Sequence, residues 1–293
     1  MKIIRSPREM TVWSKEQAVA GGTIGFVPTM GFFHEGHLAL MRRAGESADQ
    51  VVVSLFVNPT QFGPKEDLAA YPRDFARDQE LAAGAGADVL FAPEPEAMYP
   101  SGFNTTVTVG EELTGQLCGA DRPGHFAGVA TVVSKLFNIV RPDLAVFGEK
   151  DFQQLAVIRR MTEDLNLGVE IIGHPTIREK DGLAMSSRNT YLQEDEREAA
   201  LSLSRALAMA RTMAADGERD AERLAAVLRE FILSFPGTEP DYISFVNQFN
   251  LQPVELVDKN TVLALAVKIN GRVRLIDNGF VDEKVLRQIS QDR

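Results

Sequence analysis

The chain has 293 residues, 44% of them hydrophobic and 25% charged, with a formal net charge of -10. That composition suits a globular protein large enough for one large α/β domain or two compact units. The acidic balance, with no basic stripe, argues against a nucleic-acid partner; the single cysteine, Cys118, excludes an intramolecular disulfide and a cysteine-built zinc site; and no apolar run reaches signal-peptide or membrane-spanning length, so a cytoplasmic protein with no membrane partner is expected.

The first half alternates short apolar runs with helical patterns. "TIGFVPT" reads as a buried strand broken by Pro28, and "HLALMRRAGESAD" as the helix after it. "VVVSLFVNP" is a β-branched strand stopped by Asn58-Pro59. "PRDFARDQELAAGAGA" predicts a helix that ends in glycines, and "DVLFAP" a third strand. "HFAGVATVVSKLFNIVRP" carries a long apolar stripe stopped by Pro142. "LAVFGEK", "DFQQLAVIRRMTEDLNL" and "VEIIGHP" continue as strand, helix, strand. This alternation predicts a Rossmann-like, doubly wound parallel sheet with helices on both faces. Ligands in such sheets sit beyond the carboxyl ends of the strands.

The texture changes near residues 176 to 182. "EDEREAALSLSRALAMARTMAADG" and "ERDAERLAAVLREFILSF" are amphipathic helices, followed by the strand "DYISFVNQ". Asn270-Gly271 between "TVLALAVKI" and "RVRLIDNG" predicts a hairpin, because both central positions of a type I′ turn need positive φ. The expected division is 1–176 as the α/β domain and 177–293 as a smaller α+β domain.

Five polar clusters fall at strand ends or helix starts. "GFFHEGH" places Gly31, His34, Gly36 and His37 at a helix entrance, where orphan N–H groups and the helix dipole favour an anion. The same residues could pair on a metal or be two solvated polar groups, although the spacing is not H-E-x-x-H. "FVNPTQF" offers Asn58 and Gln61. "DRPGHF" puts Arg122 and His125 before a helix, against the dipole, so Arg122 is either solvated or useful for an anion. "FGEKDFQQL" carries Gly148, Lys150, Asp151 and Gln154. "DGLAMSSRN" presents Ser186, Ser187 and Arg188, suited to phosphate oxygens or simply a polar linker. Neither a P-loop nor a G-x-G-x-x-G fingerprint is present.

"HEGH" after a strand looks like the HIGH motif of class I aminoacyl-tRNA synthetases and their nucleotidyltransferase relatives, and "MSSR" looks like their KMSKS-type loop. More specifically, "PTMGFFHEGHLAL", "SLFVNPTQFGPKEDLAAYPRD", "RPGHFAGVATVVSKLFNIVRPD", "FGEKDFQQL", "DGLAMSSRN" and "RLIDN" resemble the pantothenate synthetases, or pantoate–β-alanine ligases. The resemblance implies an ATP-dependent ligase that forms a pantoyl-adenylate and passes it to β-alanine, with AMP and pyrophosphate released. It implies ATP contacts from Met30, Gly31, His34, Gly36, His37, Gly148, Glu149, Lys150, Asp151, Ile177, Met185, Ser186, Ser187 and Arg188. His34, His37 and Lys150 would be the catalytic set. Gln61, Gln154, Asn58 and Arg122 would serve pantoate and β-alanine. Magnesium is implied, with Asp78 as its candidate protein contact, although Arg77 stands where some relatives carry another carboxylate. A homodimer and a C-terminal domain acting as a lid are implied as well. The chain departs from the family at Asn247, where relatives often have Asp, and at the bulky Phe32 and Phe33. Its rivals are another adenylyl- or nucleotidyl-transferring enzyme of the same superfamily, such as one using a different carboxylic acid, a non-catalytic nucleotide-binding regulator, and a metal-dependent hydrolase using the histidine pair.

Overall fold

The computed structural model describes residues 1–64 and 66–282. The elements in chain order are β1 (Lys2–Ile4), α1 (Pro7–Val19), β2 (Ile24–Thr29), α2 (Glu35–Gly45), β3 (Gln50–Leu55), α3 (Phe75–Gly84) and β4 (Val89–Phe91). Three single helical turns follow, α4 (Pro95–Met98), α5 (Glu111–Thr114) and α6 (Cys118–Asp121). Next come α7 (His125–Val140), β5 (Leu144–Gly148), α8 (Phe152–Asp164) and β6 (Glu170–His174). The remainder is α9 (Arg197–Ala215), α10 (Ala221–Leu233), β7 (Thr238–Asn247), β8 (Thr261–Ile269) and β9 (Val273–Phe280). Short 3-10 turns cover Pro59–Gln61, Glu149–Asp151 and Ser187–Tyr191. The chain divides into two compact units. The first holds Met1–Thr114, Gly119–Glu149 and Gln154–Ile177; the second holds Gly115–Cys118, Lys150–Gln153 and the chain from Arg178 onward.

In the first unit the six strands run parallel in the order β1-β4-β3-β2-β5-β6. Strand alternation sorts the core. Ile24, Phe26 and Val52 point to the face packed with Val129, Val133, Phe137 and Leu155. Val27, Val51 and Val53 point to the face packed with Leu40, Met41 and Ala44. Both faces are thus covered, as an all-parallel sheet requires. The apolar pattern predicts five of these strands; β1, three residues long, joins them at the edge through Val89–Phe91. Strand order reverses between β2 and β5, which is where such sheets open a crevice. Pro28 marks that opening. Pairing of β2 with β5 stops at Phe26–Ala145, whereas pairing with β3 runs on to Thr29–Leu55. Thr29 accepts from Phe56 on the β3 side, so by alternation Pro28 faces the β5 side beyond its last pair. Its missing N–H forfeits no ladder bond there.

In the second unit, β7, β8 and β9 form an antiparallel sheet in that order. Ile243, Phe245, Leu263, Leu265, Val267, Val273 and Leu275 pack against Leu203, Leu207, Leu224 and Leu228 of α9 and α10. The Asn270-Gly271 turn has the expected positive φ at both positions, 51° and 61°, and closes with Arg272 N–H on the Ile269 carbonyl at 3.0 Å. Among the described residues, no helix is long and apolar enough to cross a membrane.

Candidate active site

The carboxyl end of β2 runs into a left-handed turn. Gly31 has φ 86° and Phe32 φ 52°. A Cβ at residue 31 would stand 3.0 Å from the Asp78 carboxylate and 3.2 Å from Leu55, so glycine answers both the backbone angle and the space. Phe32 holds an unfavourable angle for a side-chain-bearing residue. Asp78 is what fixes it. Its Oδ2 accepts from the Phe32 N–H at 2.6 Å and its Oδ1 from the Phe33 N–H at 2.7 Å. Asp78 is only 1% exposed. Burial pushes its carboxyl above the usual range, with the two backbone N–H bonds pulling the other way.

The turn delivers His34 to the N-cap of α2, which buries Leu40, Met41 and Ala44 on one face. His34 Nδ1 accepts from the Gly36 N–H at 3.1 Å, and His37 Nδ1 accepts from the His34 N–H at 3.4 Å. This is a capping box built from imidazoles in place of Ser and Glu. The two rings lie 4.1 Å apart, tilted by 33°. A ring nitrogen that accepts an N–H carries no proton. Both neutral rings therefore hold their protons on Nε2. Two N–H donors stand at the positive end of a helix.

The carboxyl end of β3 leads to a second cluster. Asn58 is 1% exposed, and Gln61 is 9% exposed. Asn58 Nδ2 donates to Gln61 Oε1 and to the Gly128 carbonyl, both at 3.1 Å. Its Oδ1 accepts from the Tyr99 hydroxyl at 2.8 Å and from Thr60 Oγ1 at 3.0 Å. This sets the Gln61 amide. Its oxygen faces Asn58, and its Nε2 lies 3.2 Å from Met30 Sδ. Behind it, Arg122 binds both oxygens of Glu66 at 2.9 and 2.5 Å. Arg122 Nη1 and His125 Nε2 are 3.0 Å apart, and His125 Nδ1 lies 2.8 Å from the Gln61 carbonyl. Burial alone would raise the Glu66 carboxyl; the Arg122 guanidinium holds it below the usual carboxylate range.

In the second unit, Lys150 lies in the turn after β5, its side chain 18% exposed and 3.9 Å from Asp151. The segment 178–184 folds back on itself, Glu179 N–H donating to the Leu183 carbonyl at 2.8 Å and Gly182 N–H to Glu179 at 2.9 Å. Asn189 ties it closed by donating to Glu179 and to the Ala184 carbonyl at 2.7 and 3.1 Å. Met185, Ser186 and Arg188 are half-buried in between, and Ser187 is buried.

A family model described as pantoate-beta-alanine ligase matches residues 2–280. The chain belongs to the pantoate–β-alanine ligase family. It is 62% identical to the pantothenate synthetase of Heliobacterium modesticaldum over 282 residues, covering 96% of this chain and 100% of that one. A crystal structure of the Thermus thermophilus pantothenate synthetase aligns with a TM-score of 0.91 at 45% identity, over 96% of this chain and 100% of that one. The Francisella tularensis pantoate–β-alanine ligase, solved with beta-gamma ATP and β-alanine, aligns with a TM-score of 0.79 at 33% identity, over 96% and 98% of the two chains.

Against the family resemblance, the structure brings Met30, Gly31, His34, Gly36, His37, Asn58 and Gln61 to neighbouring strand ends of the first unit. Gln154, in the first turn of α8, and Ile177, at the end of that unit, are half-buried. Asp78, the candidate magnesium contact, has a structural role in the first unit. Its two oxygens bind the backbone of the Gly31–Phe33 turn, and almost none of it is exposed. Arg122 is likewise committed, to Glu66 and to the Gln61 carbonyl. Tyr99, Glu66, His125 and Gly128 are the supporting residues that sequence reasoning left without a role in this ligase. Only Arg122-x-x-His125 at a helix start hinted at a pair.

Proposed function

We propose that this ligase condenses pantoate with β-alanine at the expense of ATP, and that the imidazole capping box is the observation that carries the mechanism. Pantoate's carboxylate attacks the α-phosphate, pyrophosphate leaves, and the β-alanine amine then attacks the acyl carbon and expels AMP. Charge grows on phosphate oxygens in the first step. Preorganised N–H donors stabilise it best because they need no reorientation. His34 and His37 meet that need through Nε2–H, each ring locked by its Nδ1 bond. His37 acts as an electrostatic stabiliser, since loss of pyrophosphate asks for little proton transfer.

Lys150 adds a positive charge for the phosphates, Asp151 serves the ribose side, and Met185–Arg188 supplies hydroxyls, backbone N–H groups and a guanidinium for phosphate oxygens. With its oxygen held by Asn58, Gln61 offers the N–H side of its amide to an acceptor, the carboxylate or hydroxyl oxygens of pantoate. Gln154 is the second amide. Asn58 and Arg122 act from behind, on Gln61.

Magnesium accompanies ATP in this reading. Among the described residues no group of three or more His, Cys, Asp or Glu side chains is arranged to hold an ion, and Asp78 is engaged by the backbone. Magnesium binds chiefly phosphate oxygens and water, so the reading requires no cluster of protein carboxylates. The reading includes a cytoplasmic homodimer, to be checked by sedimentation at twice the chain mass.

The residue roles are tested with His37→Ala in the adenylation half-reaction. Pantoate-dependent ATP–pyrophosphate exchange should fall by about 100-fold, the scale of losing one transition-state donor. Exchange near the wild-type rate would remove His37 from the mechanism.

A further inference from the structure

The "RLIDN" segment, Arg274–Asn278, has no place in the chemistry above. It ends in two consecutive polar residues that are almost fully buried, Asp277 at 3% and Asn278 at 9% exposed. Consecutive residues of a strand face opposite sides of the sheet. Asp277 follows Val273 and Leu275 on the face packed against the helices. Asn278 faces the other way.

Each residue holds a different segment. Asp277 binds the Arg178 guanidinium through both oxygens, at 2.7 and 2.8 Å, and its Oδ1 also accepts from the Asn278 N–H at 2.8 Å. Arg178 in turn donates to the Gly182 carbonyl at 3.0 Å, and its backbone bridges to Ala184. The fork thus clamps the base of the loop that presents Met185–Arg188. Asn278 Nδ2 donates to the Lys150 carbonyl at 2.7 Å. That bond fixes the turn from which the Lys150 side chain springs. A planar, bidentate pair of this kind fixes direction as well as distance.

We propose that Asp277 and Asn278 are positioning residues that hold the Met185–Arg188 loop and the Lys150 turn to one strand end. Neither touches a reacting atom. Each places a segment that does, so the effect on ATP use rests on the roles given above to Lys150 and Met185–Arg188. The pairing also accounts for why two polar residues occupy adjacent buried positions in a strand whose earlier inward positions, Val273 and Leu275, are apolar.

The test uses the full chain with Asp277→Asn, which keeps the shape but drops the charge facing Arg178. Its counterpart is Asn278→Asp, which sets an acceptor against the Lys150 carbonyl. Amide deuterium exchange is followed over 150–153, 179–188 and β7–β9, beside the KM for ATP and for pantoate in ATP–pyrophosphate exchange. Asp277→Asn should speed exchange in 179–188 alone, and Asn278→Asp in 150–153 alone, each by about tenfold, the scale of one lost buried hydrogen bond. Both variants should raise the ATP KM and leave the pantoate KM within about twofold, a split that general loosening would not produce. If Asp277→Asn fails to fold, Arg178→Lys removes the fork while keeping the charge. Unchanged protection in both segments, or equal loss across both segments and the three strands, overturns the proposal. Segment-specific loss with an unaltered ATP KM upholds the positioning and instead removes those segments from ATP binding.

Discussion

A histidine that spends Nδ1 on a backbone N–H has decided its tautomer, and His34 and His37 do so together. The donors they present depend on a strained turn just upstream. Phe32 at φ 52° stays in place because Asp78 takes its N–H and that of Phe33. Asp78→Ala leaves both N–H groups without their acceptor. We expect a loss of about 1–3 kcal/mol for the buried Phe33 N–H alone, and a fall in adenylation because His34 and His37 lose their register. Denaturant unfolding and pyrophosphate exchange read the two effects. Wild-type values for both would mean that the turn holds without Asp78. The histidine pair was legible in the sequence because both residues lie within four positions at a helix start. The Asp78 bond was not. It joins residues 46 apart in the chain, and a lone acidic residue in a helix carries no mark of what it caps.

At the scale of elements, the alternation of apolar runs and helical stripes predicted the parallel sheet, and positive φ at Asn270-Gly271 followed from turn chemistry. Edge elements were harder. β1 has only three residues, and α1 buries only Met10 and Ser14, so neither carries a periodic apolar signal. Contacts between elements were harder still. Gly128 in α7 lies against the turn at Pro59–Gln61, and a Cβ there would stand 2.4 Å from the Thr60 carbonyl oxygen. A helix interior normally prefers alanine to glycine. Gly128→Ala should nevertheless destabilise the protein by about 1–3 kcal/mol through overpacking. Because that turn carries Gln61, the pantoate KM should rise more than the ATP KM. A stabilised variant with unchanged KM would show that the turn has room to move.

At the scale of the whole molecule, both units hold carboxyls below their usual range. In the second, Glu196 accepts from the Gln193 N–H, Asn270 and Arg272, which hold its carboxyl down to about 2 from an ordinary 4.5. A carboxyl depressed in the folded state adds stability above its unfolded value and loses it as pH falls through the folded one. Stability from this group is therefore complete above 4.5 and gone below about 2. Glu196→Gln should lower thermal stability at neutral pH and flatten the decline between those two values. Identical acid profiles for the two proteins would assign the decline to other carboxylates.

Family membership and the roles proposed for the imidazole donors and Gln61 share one chemical event, transfer of AMP to the pantoate carboxylate. The most direct measurement is exchange of labelled pyrophosphate into ATP with pantoate and magnesium present and β-alanine absent. The account predicts exchange that requires pantoate. No exchange with pantoate, from protein shown to bind ATP, would contradict it.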